Sequence, residues 1–523
     1  MLAEFLASIV YLIQSCTGQV LAETYENVLR RSKDMEKPFL NQNQEDSELL
    51  EEFTSFNQED TIFQEFDPPK CGLNNDPQTW KESRPTFKKS FWECLKSVLL
   101  IQTLGGSLVG FVAVVIVFLD FNTVERCYEE NSNFNSIPVK VQRIRVTAQT
   151  VEGFLIQLWD LCTIMLVFPL SLVRNLSLIS LNILASFIDV TYRLYCQMYG
   201  VYRTSWMSFP LNVLFCLVIL INNSLLSRHF CPYPLKKTVS LFFMFSAQFI
   251  FGIPMAFFLV YKLFPFYVTQ NERKRIVIAT FSPLLSAIPK LISRLGAQKL
   301  NGIIHPGTAH VLVAVIYGIS AVVFRVLQAE LTNISLFIAL GIAHGIIDLL
   351  ERITITMRDH IWEYLYRLVR RQRSRQPKYR SPRSRRFIAD VSIQIMMQEA
   401  TALITALGFV CVYLLTYSTP KPFSNYQPLI DFLVRAGIGL LIDLVFNVIS
   451  LLIQTRVMNI AVNRVWKKKW RHHLLVNALL LCIALLYFSG HLFDVIKIKH
   501  AAKHHSLKLH FNCSYPSRFM PTF

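Results

Sequence analysis

Charge is what this sequence has least of. Asp, Glu, Lys and Arg make up 17% of its 523 residues, against about 25% in an average soluble chain. Hydrophobic residues reach 52%, Phe alone counts 40, and mean hydropathy is +0.37. One globular core cannot hide that much apolar surface, which excludes an aqueous enzyme, a fibrous protein and a wholly disordered chain. The remaining class uses a bilayer as its solvent.

Chemical signatures are missing as well. The 11 cysteines show no CxxC or His/Cys finger spacing, so a structural zinc site is not expected, nor a disulfide framework. Cys162, Cys216, Cys411 and Cys482 fall inside apolar runs, where a thiol behaves as a small hydrophobe. There is no GxSxG, Walker loop, HExxH or kinase-like signature, and no internal or inverted repeat is visible. His500-Ala-Ala-Lys-His504-His505 imitates one histidine box of the membrane di-iron enzymes. His472, His473 and His491 do not supply the other boxes, so a lipid-modifying enzyme, which would carry bound iron, is a remote reading. No cofactor and no resident metal are expected.

What is present is a succession of apolar runs, each long enough to cross roughly 30 Å of hydrocarbon at 1.5 Å per residue. Candidate spans are 97–119, 151–173, 176–195, 205–222, 239–261, 276–292, 309–327, 333–350, 393–417, 429–454 and 472–494. The runs are continuously apolar, whereas barrel strands alternate over about ten residues. The expected fold is therefore an all-α polytopic membrane bundle of about 11 helices, with 10 and 12 close behind. The two weakest spans are 176–195, with Asp189 and Arg193, and 276–292, with Pro283, Pro289 and Lys290.

This divides the chain into five parts. Residues 1–96 hold an apolar segment and an acidic, largely disordered tail; 97–350 and 393–494 hold the bundle; 351–392 form a basic cytoplasmic loop; 495–523 form a His-rich tail. Residues 1–22 read either as a signal peptide ending at Val20-Leu21-Ala22 or as a helix at the membrane surface, since Glu4 replaces the basic start a secretory signal wants.

The net charge of +18 is unevenly placed. Glu23 to Asp67 is strongly acidic, whereas basic residues gather between spans. That placement argues against nucleic acid and for anionic lipid under the positive-inside rule. Arg370, Arg371, Arg373, Arg375, Lys378, Arg380, Arg383, Arg385 and Arg386 form the densest cluster, with no acid among them. Lipid-surface adhesion is expected there, with Ser374, Ser381 and Ser384 as phosphorylation candidates that would weaken it. Arg456 to Arg471 is basic too. Both stretches and the amino terminus are expected in the cytoplasm, and the carboxyl terminus outside. Arg273, Lys274 and Arg275 disagree with that topology. The sequons at Asn333 and Asn512 fall on the outer side as glycosylation candidates.

Ionisable residues within spans are functional candidates by default, because charge in hydrocarbon is costly. His344, Asp348 and Glu351 are spaced i, i+4, i+7 and share one helical face. An imidazole beside a carboxylate passes a proton or holds a cation; alternatively the acids and Arg352 merely mark a helix end. Three such residues are too few for a metal assignment, and Glu399 on the next span is the nearest fourth ligand. Gly341 and Gly345 on the same helix favour close helix approach. Asp431, Arg435, Gly439, Asp443 and Asn447 recur at intervals of four, and deep Asp443 is expected to pair with Arg325 or Lys290. Asp160 has no partner in its own span, whereas Asp189 and Arg193 neutralise each other.

The first expectation is a transporter or channel-like protein for a small solute or ion, with Asp160, His344, Asp348, Glu399 and Asp443 lining its path. The alternative is a non-transporting receptor or organiser that gathers anionic lipid or partners at the basic loop. Substrate, host membrane and oligomeric state are not encoded legibly.

Overall fold

The computed structural model describes residues 62–67, 79–120, 139–198, 209–300, 303–331, 333–369, 382–417, 426–482, 485 and 489. Among these residues there are helices and no strands. We number the long helices α1 (Phe87–Leu119), α2 (Val139–Val167), α3 (Leu178–Met198), α4 (Phe209–Phe230), α5 (Leu235–Thr269), α6 (Glu272–Lys299), α7 (Val311–Ala329), α8 (Ile334–Val369), α9 (Pro382–Tyr417), α10 (Gln427–Arg456) and α11 (Val462–Val476).

Nine of the described helices are long and apolar enough to cross a membrane, namely all but α3 and α11. The chain is thus a multi-pass membrane protein by helix length and composition. Its outward faces agree: Leu104, Leu108 and Phe111 on α1, and Leu433, Leu441 and Val445 on α10, are exposed and apolar. Such faces are stable only against lipid.

Two expected spans fall outside the nine counted among the described residues. Helix α3 (Leu178–Met198) takes up most of 176–195 and turns Asn182, Asp189 and Arg193 inward, fully or nearly fully burying them. Run 472–494 begins on α11, a basic helix kinked at Lys469. A π-helical turn follows at Asn477–Cys482, and most of what comes next lies outside the described residues. The 351–392 loop is also largely helix, since α8 runs on to Val369 and α9 starts at Pro382. The apolar runs mark only the stretch a helix needs to cross lipid; polar residues of good helix propensity carry it further.

Helix α9 is central. The most apolar window of Arg383–Leu415 is 94% buried, and the helix packs against α1, α7, α10 and α11. A π-helical turn in α1 at Ile101–Ser107 meets it. A Cβ on Gly106 would press on Ala400 and on the backbone of Met397, so glycine is what lets the two backbones approach. Backbone acceptors in that turn take side-chain donors: Thr401 donates to Gly106 O at 3.0 Å, and Asn477 to Gly105 O at 2.8 Å. That is how a non-standard turn is tolerated at membrane depth.

Helix α5 contains Pro254 and passes into a π-helical turn at Leu259–Leu263. Helix α6 breaks at Ser286, between Pro283 and Pro289. In both places proline removes a backbone donor from the ladder.

One piece of the acidic tail is placed. Residues 62–67 lie against the bundle at the start of α9 and α11. Phe66 N donates to Asn459 Oδ1 at 2.9 Å, Arg464 donates to Gln64 O and Asp67 at 2.9 Å each, and Arg386 donates to Ile62 O at 3.4 Å. Burial pushes the Glu65 carboxyl above its ordinary value, with the Arg464 backbone N–H and side chain pulling the other way. Expectations for residues 1–61, for the segment holding Arg370, Arg371, Arg373, Ser374, Arg375, Lys378, Arg380 and Ser381, and for Asn512 and the His-rich tail lie outside the described residues.

Candidate functional site

Five helices bring their charges to one interior region. Helix α6 supplies Lys290 and Arg294; α7 supplies Tyr317 and Arg325. Helix α8 contributes His344, Asp348, Glu351, Arg352 and Asp359, α9 contributes Glu399, and α10 contributes Asp443 and Asn447. The i, i+4, i+7 spacing on α8 continues through Arg352, so one helical stripe faces three neighbours.

Most of these groups are paired across helices. Arg325 Nη2 reaches both oxygens of Asp443 at 2.7 and 2.6 Å, and its Nη1 donates to Gln328 at 2.8 Å. Arg352 holds Glu399 at 2.9 Å and also donates to Asn447. Arg294 binds Asp359 through Nε at 2.8 Å and donates to the Tyr317 hydroxyl at 2.9 Å. Lys290 lies 3.5 Å from Glu351 and 5.0 Å from the centre of the Tyr317 ring. Pairing is what makes these charges tolerable away from water.

Asp348 differs. Its only ion-pair neighbour within 4.0 Å among the described residues is His344, whose Nε2 lies 2.9 Å away. A carboxylate oxygen of Asp348 also lies within 4.8 Å of one of Glu399. Two carboxylates that close repel; Arg352 neutralises Glu399, and Asp348 is left to a proton or a cation. Ligand atoms of His344, Asp348 and Glu399 all lie within 4.8 Å of one another, a compact set of one imidazole and two carboxylates. Buried His344 Nδ1 has no hydrogen-bond partner, and its ring stacks on Phe324 with centroids 3.6 Å apart.

A small cavity of about 340 Å³ opens on this group, with Lys290, Tyr317, Ser320, Arg352 and Glu351 among its other walls. It reaches His344, Asp348, Glu351 and Glu399. Asp443 and Asp160, expected on the same path, lie off it. Asp443 is closed by Arg325, and Asp160 sits fully buried elsewhere, accepting from Asn222 at 2.7 Å. Asn222 also shares a bond with Asn182 at 3.2 Å, so Asp160 belongs to a polar junction of α2, α3 and α4.

Other expected sites fall as follows. Arg435 pairs with Asp431 on its own helix at 3.0 Å and donates to Leu331 O at 2.6 Å, a clasp at the helix end. Arg386 corrects its expectation: it is 1% exposed and bound to Asp390 at 2.8 Å, so it is a core residue and no lipid-surface charge. Arg383 donates to the carbonyls of Leu300 and Ile304 at 3.2 and 2.6 Å, closing the end of α6. Arg385 and Ser384 are half-buried on the first turns of α9. Asn333 accepts from Ser335 N at 2.9 Å and caps the start of α8. Gly341 and Gly345 pack against α10, where a Cβ on Gly345 would enter the Phe446 ring.

Three features were not anticipated. Arg294 with Asp359 is one; the spacing of Lys290 and Arg294 on an apolar helix was its available signal. The second is the Asn182–Asn222–Asp160 junction, signalled by Asn222-Asn223 inside an apolar run. The third joins His310, His472 and His473, with His310 and His473 ring centres 4.7 Å apart and His473 bound to Asp390 at 3.1 Å. Compared with protein families, with characterised proteins and with solved structures, the chain matches none.

Proposed function

We propose that this multi-pass protein is a transporter in which His344, Asp348 and Glu399 form an exchangeable site for a proton or small cation. The observation that carries the reading is Asp348. Unlike Glu351, Asp359, Glu399 and Asp443, it has no Lys or Arg ion-pair partner among the described residues, yet it lies within 4.8 Å of a second carboxyl at a cavity. A structural salt bridge needs a fixed cation; a carboxyl pair beside an imidazole needs a removable one. Lys290 and Arg352 flank the site and set its net charge. Loading and unloading Asp348 changes that charge by one, which alters how strongly α8 is held to α6, α9 and α10.

The end of the bundle carrying Lys88, Lys89, Arg456 and Arg464 is assigned to the cytoplasm on the positive-inside rule. Purified protein reconstituted on a solid-supported membrane tests the reading. A pH jump should give an electrogenic transient in the wild type. Asp348→Asn and Glu399→Gln should each abolish it, whereas Asp160→Asn should keep it. A wild type without a transient, or an undiminished one in Asp348→Asn, overturns the proposal.

A further inference from the structure

A second cavity lies apart from the charged one. About 1,190 Å³ of space lies between α2, α3, α4, α5 and α7, with Leu480, Leu481 and Leu485 at its edge. Its walls are nearly all apolar, and only Gln157, Asp189, Arg193 and Asn212 bring amide or charged groups to it. The polar end is built from within. Asp189 is fully buried, paired with Arg193, and accepts from Gln157 Nε2 at 2.9 Å. A Cβ on Gly153 would strike both Asp189 and Arg193, so the ion pair sits tight against α2.

Gln157 is 1% exposed, and its Oε1 has no hydrogen-bond partner. A buried acceptor left unpaired costs about 1–3 kcal/mol, and lipid tails cannot satisfy it. We infer that this cavity binds an uncharged, membrane-soluble alcohol, with its apolar body between α5 and α7 and its hydroxyl donating to Gln157 Oε1. Chemistry selects that class. An alkane cannot donate, and an ionised fatty acid, whatever it accepts from Arg193 or Asn212, has no proton to give Gln157 Oε1.

Helix α7 is the common wall of both cavities. Ala314, Val315 and Val322 face the apolar space, whereas Tyr317 and Ser320 face the charged one. The inference therefore deepens the transport reading by naming the class of organic cargo, and it rests on that reading only in calling the ligand cargo.

Trp159 lines the cavity, with its ring 6.2 Å from Phe215 and 5.8 Å from Phe249, and it supplies the readout. 9,10-Dibromooctadecanol is titrated into full-length protein in detergent, and the Trp159 share of emission is taken from the difference with Trp159→Phe. Saturable quenching of that share is expected. Gln157→Leu should weaken it at least tenfold, and 9,10-dibromostearate at neutral pH should bind at least tenfold more weakly than the alcohol. Val322→Phe, which leaves the polar end intact and fills the space, should abolish saturation. Quenching that only rises in proportion to added lipid, or equal binding by Gln157→Leu and Val322→Phe, overturns the inference. Binding is read without flux: loss of the pH-jump transient with saturable quenching intact strikes only the coupling site, and the converse strikes only this one.

Discussion

At the scale of residues, the pairing pattern separates scaffold from moving chemistry. Arg325 and Asp443 are bound to each other by two contacts and buried on both sides. Removing one partner leaves an uncompensated charge, which typically costs about 3–5 kcal/mol. Asp443→Asn is therefore expected to lower thermal stability in detergent by that order, and Arg325→Met with Asp443→Leu to restore much of it. A double variant as unstable as the singles would show that the pair does more than neutralise itself. Glu65 gives a pH dependence of known sign. Its folded-state pKa is raised above the ordinary 4.5 by burial, so the docked segment gains stability from protonation. That gain is full below about 4.5 and disappears as pH rises through the folded value. Protection of residues 62–67, taken relative to the base-catalysed exchange of the unfolded chain at the same pH, should accordingly be greatest in acid and fall towards neutrality, and Glu65→Gln should remove that fall.

At the scale of elements, helix contacts depend on small residues and on π-helical turns. Gly345→Val should place its side chain in the Phe446 ring and separate α8 from α10, with a loss of about 1–3 kcal/mol typical of overpacking. Phe446→Ala in the same chain should recover part of it, measured by thermal denaturation. Thr401→Val removes the donor to Gly106 O and is expected to cost about 1 kcal/mol or somewhat more; Thr401→Ser should not. Much of this level was legible. Continuous apolar runs gave helices, and the glycine pair on α8 pointed to a close neighbour. The ends were not legible, because α8 and α9 extend beyond their apolar stretches on residues that hydropathy ignores. The π-helical turns were invisible too, since their stabilising donors, Thr401 and Asn477, lie far off in sequence.

At the scale of the whole molecule, hydropathy fixed the class and could not fix the partners. Arg325 and Asp443 are 118 positions apart, and Arg352 and Glu399 are 47 apart. No periodicity within one helix carries such information. The sequence marked His344, Asp348 and Glu351 as a stripe and left Glu399 unplaced; only the packing of α9 beside α8 makes them one group. It also overstated the basic loop, because Arg386 serves the interior.

The burial of α9 has a mechanical consequence. A rod walled by neighbours along almost its entire length is a poor moving part and a good axle. On the transport reading, opening of the charged chamber falls to the far less buried α6 and α8, while Glu399 stays still and Asp348 departs from it. The separation of α8 from α9 is then the coordinate to follow with paired spin labels placed on the least buried positions of the two helices: shortest when occluded, longest when the gate stands ajar.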